Sequence, residues 1–255
     1  MLDCCCKILF CDIGMDYIKL KSNISSVAAD KHTTFDEGLR AYMLSVYNYM
    51  MLALAVTGAV AIYIASSPQL VVALMSSAIW WVAVFAPIGI VMFMSIKSAT
   101  ISFQAARACL FAYAASLGVS VAIICYSYTG ESIARVFFIT ASLFGAMSIY
   151  GYTTKRDLTN FGSFLMMGLF GVIIASLVNI FLRSSGLHYI TSFICVLIFT
   201  GLTAYDVRKI KDSYYALGGA SADVSKVAVF GALNLYMDFI NLFISLLRIM
   251  GNRRD

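Results

Sequence analysis

Long apolar runs alternate along this chain with short polar gaps. Seven such runs stand out: Val46 to Ala65, Leu70 to Ser95, Cys109 to Tyr126, Val136 to Tyr152, Phe161 to Leu182, Tyr189 to Tyr205 and Val227 to Leu247. Each is at or near the roughly 20 residues that a helix needs to cross about 30 Å of hydrocarbon. Strands of a membrane barrel would instead alternate apolar and polar positions over short segments, and these runs do not. The pattern therefore predicts an all-α integral membrane protein with seven transmembrane helices.

Ahead of the first run, Thr34 and Glu37 stand three apart as in a capping box, which places a helix start near Thr34. Phe35, Leu39, Tyr42 and Val46 then recur at helical spacing. Two readings fit: a face laid along the membrane surface, or an extension of the first span. Residues 1–33 read as a disordered cytoplasmic tail and residues 34–255 as the seven-helix transmembrane domain. The stretch Ile8 to Phe10 is too short for a secretory signal, and Asp12 and Asp16 follow at once. The triplet Asn23-Ile24-Ser25 matches a glycosylation acceptor, but a tail held in the cytoplasm does not meet that machinery. No internal repeat or second domain is visible.

Composition agrees with lipid as the solvent, since 61% of residues are hydrophobic and 12% charged. The net charge of +5 is spread through the gaps, which excludes a nucleic-acid patch and leaves topology as its use. Lys97, Arg107, Lys155, Arg156, Arg208, Lys209, Lys211 and Lys226 fall in alternate gaps, whereas the other gaps hold Arg135 and Arg183. The excess marks the cytoplasmic side, so the N-terminus is expected there. Seven spans would then send Gly251 to Asp255 to the far side, against the pull of Arg248, Arg253 and Arg254. Of the seven cysteines, Cys4, Cys5 and Cys6 are adjacent, Cys11 is close by, and Cys109, Cys125 and Cys195 lie in apolar runs. No disulfide framework is expected.

An ionisable group inside hydrocarbon costs about 2.5–3.5 kcal/mol at a helix centre, so Asp238 needs a partner or a function. It lies about 18 Å along a helix that starts near Lys226. Gly231, Asn234, Asp238, Asn241, Ser245 and Arg248 follow at intervals of three or four, forming one polar seam on an otherwise apolar helix. The seam reads either as packing glue between helices or as the lining of a water-filled path. Asp206 closes the sixth run just before Arg208 and Lys209. It reads either as a helix-end carboxylate satisfied by those cations or as a partner for Asp238 across antiparallel neighbours. Two adjacent carboxylates share a proton and titrate as a unit, which makes a pH sensor. Deprotonated, Asp206 and Asp238 offer a weak, transient oxygen site for a hard cation such as calcium.

Enzyme chemistry finds no support. The two histidines are His32, in the tail, and His188, at the edge of the sixth run. No His-Glu-x-x-His, phosphate-cradling glycine loop or serine triad order is present. No cofactor is expected beyond calcium as a transported ion. A proton-coupled solute transporter would call for an interrupted helix pair, which the sequence does not show.

The segment from Asn234 to Ile249, reading Leu-Tyr-Met-Asp-Phe-Ile-Asn-Leu-Phe-Ile-Ser-Leu-Leu-Arg-Ile after Asn234, resembles the signature of the Bax inhibitor family of membrane proteins. The resemblance extends to Tyr205-Asp206 with its basic run, to Thr154-Lys155-Arg156-Asp157-Leu158, and to Phe35-Asp36-Glu37-Gly38-Leu39-Arg40-Ala41-Tyr42, similar to the entry of bacterial members. It implies a bacterial inner-membrane protein whose last helix is central, surrounded by the other six. It also implies a pH-sensitive calcium leak gated at the aspartate pair. A structurally known bacterial relative latches that pair with an arginine near the cytoplasmic end of its second helix. The corresponding stretch here is Met92-Phe93-Met94-Ser95-Ile96-Lys97, which leaves Lys97 as the candidate latch. The family also includes regulators of an FtsH-type membrane protease and suppressors of cell death. An interaction protein without significant flux, with such a protease or another membrane protein as partner, is therefore the alternative.

Overall fold

The computed structural model describes Lys7 and residues 32–77, 79–218 and 222–254. Apart from Lys7 and the first helical residues His32 and Thr33, the expected tail lies outside the described residues. So do Cys4, Cys5, Cys6, Cys11 and the Asn23 triplet. Among the described residues eight helices follow one another: α1 (His32–Ala65), α2 (Pro68–Ser76), α3 (Ile79–Ile96), α4 (Phe103–Tyr126), α5 (Gly130–Thr153), α6 (Thr159–Leu182), α7 (Ser185–Ala216) and α8 (Ala222–Met250). No strand forms among them, and the three cysteines described, Cys109, Cys125 and Cys195, are reduced thiols.

Six helical stretches are long and apolar enough to cross a membrane: Glu37–Ala65, Phe103–Tyr126, Gly130–Thr153, Thr159–Leu182, Ser185–Ala216 and Val224–Met250. The expected second span is broken. Pro68 opens α2, where its missing N–H costs nothing. The Ser76 hydroxyl turns back on the carbonyls of Val72 and Ala73, and Ser77 is extended, so α2 ends there. The apolar stretch Ala83–Ile96 of α3 is shorter than the other six. Pro87 lies inside α3 and cannot donate to the carbonyl of Ala83. The Ser120 hydroxyl on α4 donates to that carbonyl instead, at 3.4 Å.

Two helix boundaries differ from the sequence reading. Helix α1 is already helical at His32, and Leu39, Tyr42 and Val46 are buried in the bundle, so this segment extends the first span and does not lie on a membrane surface. Helix α7 continues well past Tyr205 to Ala216, because the polar run from Asp206 to Ala216 holds no glycine or proline. Gly218, with φ of 66°, supplies the left-handed residue just beyond its end.

Contacts along the helices fix their directions. Thr57 meets Ala114 while Gly118 lies against Val60, so α1 and α4 run parallel. The start of α1 meets the end of α7, where the Tyr42 and Tyr214 rings stand 5.2 Å apart. At the same end Lys226 donates to the carbonyl of Ala99, and Lys211 and Arg208 donate to the carbonyls of Tyr152 and Thr154. The basic gaps thus gather with the start of α1 at one end of the bundle. At the opposite end the chain's last residues pair with the α4–α5 loop, through Thr129 N–H to Asn252 O (3.0 Å) and Arg254 N–H to Ser127 O (3.0 Å).

The most enclosed element is α8, whose apolar window is 89% buried, against 61% for α7 and 17% for α6. Its chief packing partners are α1, α4, α5 and α7, so the last helix is central to the bundle. Helices α3 and α6 lean on α4 and α7 from outside. They present Trp81, Phe85, Phe164, Met167 and Ile174 outward, as lipid requires.

Candidate cation site

The site sits where α7 and α8 run antiparallel. Gly231 lets α8 approach closely, since a methyl group there would stand 3.1 Å from Cγ1 of Ile210. One and two turns further along α8, Asn234 and Asp238 come level with Asp206 of α7. Asp206 and Asp238 are almost completely enclosed, at 2% and 0% exposure.

A third residue joins them. Lys7 is itself fully buried and donates through Nζ to Oδ2 of Asp206. The same ammonium stands 2.6 Å from Oδ1 of Asp238, a second ion pair. It also faces the backbone carbonyl of Asn234 at 3.4 Å. One cation therefore bridges the two carboxyl groups. Among the described residues, the side-chain oxygen of Asn234 has no hydrogen-bond donor.

The cations next to Asp206 in sequence reach other groups. Arg208 reaches Asp212 through Nε at 3.0 Å and the carbonyl of Thr154 at 2.5 Å. Lys209 lies over the Tyr205 ring, 6.0 Å from its centroid. Asp206 is an interior helix residue, not a helix end. Lys97, the expected latch, is exposed in the turn after α3 and makes no ion pair among the described residues. The cation on the pair comes from before α1 instead, through Lys7. Sequence reasoning missed it, although a signal was present: Lys7 stands alone between Cys6 and the apolar Ile8-Leu9-Phe10.

The upper part of the seam lines a cavity. About 520 Å³ of space lies between α3, α4, α6, α7 and α8, with Asn241, Ser245 and Arg248 on one wall and Asn179, His188 and Ser192 opposite. It reaches to within one helical turn of Asp238. Asn241 also donates to the carbonyl of Met237 in its own helix, at 2.8 Å. Below the cavity the hydroxyls of Tyr236 and Thr57 lie 2.6 Å apart, and Thr57 faces the carbonyl of Ala114 at 2.9 Å, tying α8 to α1 and α4.

The stretch Thr154 to Leu158 forms a structural corner. Asp157 accepts from the N–H of Thr159 (2.9 Å) and from its hydroxyl (2.6 Å), and these bonds hold its carboxyl below its ordinary range. Thr154 accepts the Arg208 guanidinium, so the corner anchors α5 and the entry to α6 onto α7.

Fold and site together define a polytopic helical membrane protein with two buried acids bridged by a lysine. The chain matches the family described as "Inhibitor of apoptosis-promoting Bax1" over residues 39–255, and it belongs to that family. It is 47% identical over 241 residues to protein RP147 of Rickettsia prowazekii, covering 94% of this chain and 100% of that one. It is 41% identical over 219 residues to "Inner membrane protein YbhL" of Escherichia coli K12, covering 85% and 94%. A protein of Caulobacter vibrioides is 41% identical over 240 residues, covering 90% and 96%.

Proposed function

We propose that this protein is a pH-sensitive calcium leak of a bacterial inner membrane, a passive pathway and not an enzyme, with Asp206 and Asp238 as sensor and cation site. The observation that carries the reading is the pair itself: two enclosed carboxylates, one ammonium, and a cavity along the same polar seam that stops one turn away. An inner-membrane location is supported by the name of the Escherichia coli relative.

Seven crossings fit the helix directions, with α2 and α3 together as the second crossing. Helices α1 and α4 start at the same end of the bundle, which requires the segment between them to return the chain. Helix α3 has 18 residues, about 27 Å at 1.5 Å per residue. The basic gaps at that end support a cytoplasmic N-terminus as part of this reading.

The pH response follows from charge. The charged groups acting on Asp238 are Lys7 and Asp206. The apolar spans of α1, α4 and α5 contribute tyrosines and cysteines but no carboxylate and no cation at that depth. A proton taken up by one carboxylate removes one of the two ion pairs and weakens the hold on the ammonium. Calcium flux into proteoliposomes should rise between about pH 8 and about pH 5, and Asp206→Asn and Asp238→Asn should both lose that response. An unchanged pH response in Asp238→Asn overturns the mechanism. Flux no higher than in empty liposomes under every condition points to the interaction-protein reading instead.

A further inference from the structure

We propose that the cavity between α3, α4, α6, α7 and α8 holds a phospholipid with an acidic head group, its phosphate on Arg248 and a hydrocarbon chain leaving between α3 and α6. This inference goes beyond the leak reading and stands whether or not ions pass.

The charge of the lining selects an anion. Arg248 and His188 both line the cavity, and no carboxylate does. Arg253 lies close enough for its charge, with that of Arg248, to act on His188. Glu131, the acid at this end among the described residues, is bound to Arg135 at 2.8 Å. The half-buried side chain of Arg248 makes no hydrogen bond or ion pair among the described residues. Basic pockets between spanning helices hold acidic head groups in this way.

A second, independent observation points into the same space. Thr140, Ser142 and Thr203 satisfy their hydroxyls on the carbonyl one turn back in their own helices. Ser245 is 5% exposed, lines the cavity, and has no hydrogen-bond partner among the described residues. A buried hydroxyl without a partner is costly, which favours a ligand that brings an acceptor. The helix dipole accounts for a cation in the last turn of α8, but not for this hydroxyl one turn deeper. Across the cavity Asn179 accepts from the N–H of Ser184 through Oδ1 at 3.0 Å, which leaves its amide N–H groups to the ligand.

The shape fits a lipid of the surrounding bilayer. Arg248 and Asn241 stand two turns apart on α8, about 10 Å of rise, so the cavity runs inward from the cationic mouth. Its 520 Å³ lies within the range of small-molecule sites. Val84 and Pro87 of α3 and Ile173 and Ile180 of α6 form apolar walls, and the two helices lean on α4 and α7 and not on each other. A hydrocarbon chain can pass between them, whereas a soluble anion would leave those walls unfilled. Ser245, deeper than Arg248, is placed for the ester carbonyls that follow the phosphate.

Native mass spectrometry of the full-length protein in detergent tests this, with dioleoyl phosphatidylglycerol, dioleoyl phosphatidylcholine and oleate as probes. The natural protein should retain phosphatidylglycerol in preference to the other two. Arg248→Gln should lower that retention about tenfold and Ser245→Ala about threefold or more. Arg135→Gln, which removes a cation at the same end outside the cavity, should leave it unchanged. Should Arg248→Gln fail to fold, Ser245→Ala, which removes one atom, carries the test. Undiminished retention in Ser245→Ala and in any folded Arg248→Gln overturns the site, and equal retention of phosphatidylcholine overturns the charge selection. Oleate retained as well as phosphatidylglycerol, or inorganic phosphate raising the thermal midpoint as much, overturns the phospholipid as occupant.

Discussion

Lys7 and Asp238 form an ion pair of 2.6 Å in which both side chains are completely enclosed. Removing one partner of a buried pair costs about 3–5 kcal/mol, because the other charge is left without compensation. Lys7→Met leaves both carboxyl groups without their cation, so its thermal midpoint in detergent should fall below that of the natural protein. Calcium should recover much of the loss, since a divalent cation neutralises both carboxylates at once. The natural protein, already holding its ammonium, should gain less from the same calcium. Equal gains in both would mean that the ion binds somewhere else.

Lys97 supplies the contrasting case. It is exposed and lies away from the pair, so Lys97→Gln should leave both thermal midpoint and pH response of the flux unchanged. A pH response lost in Lys97→Gln and kept in Lys7→Met would move the latch back to α3.

Helices and apolar faces were legible in the sequence because span length and hydropathy follow directly from the bilayer. Asp238 stood out for the same reason, as a charge in a segment where charge is costly. What could not be read were the features decided by long-range packing. The break at Ser77 depends on local serine hydroxyls competing for carbonyls within a run whose composition looks continuous. The extension of α7 carries Asp206 into a helix interior although polar residues mark the edge of the apolar run. Lys7 was hidden most completely: in sequence it is one cation in a segment before the first span, and only the folded chain brings it to carboxylates 199 residues away and more.

The Tyr236 and Thr57 hydroxyls, 2.6 Å apart, tie the central helix to α1. Thr57 also faces the carbonyls of Ala53 at 3.0 Å and Ala114 at 2.9 Å. Tyr236→Phe and Thr57→Val should couple in a double-mutant cycle by about 0.6 kcal/mol, with about 1.7 kcal/mol as a ceiling for bonds of this kind in membranes. Strict additivity in unfolding measurements would show that the two hydroxyls act independently.

Asp157 lies outside the spans, and its two bonds from Thr159 hold its carboxyl below the ordinary value of 3.8. A carboxyl shifted this way stabilises the fold above its unfolded-state value and loses that contribution as pH falls through the lower folded one. The Thr159 amide should accordingly exchange faster with solvent deuterium in Asp157→Ala than in the natural protein at neutral pH. Equal exchange in the two would leave the start of α6 held by something other than this carboxylate.

Two glycines on α5 give a controlled comparison of packing against propensity. At Gly151 an added methyl would stand 2.9 Å from the Cα of Ala204 and 3.0 Å from its carbonyl carbon, which are backbone atoms and cannot rotate away. Arg208 and Lys211 hold the end of α5 to α7 on the same side, so the two helices cannot separate without losing those bonds. Gly151→Ala should therefore destabilise by about 1–3 kcal/mol, as overpacking does. Ala204 is two residues from Asp206, so strain there should also loosen Lys7 and raise its acylation rate. At Gly145 an added methyl meets nothing within 4 Å. Gly145→Ala should then be neutral or stabilising by about 0.5–1 kcal/mol, since alanine loses less backbone freedom in a helix. Both effects can be read as shifts in thermal midpoint in one detergent. If the two substitutions behave alike, the contact between Gly151 and Ala204 is not what sets the spacing of α5 and α7 beside the aspartate pair.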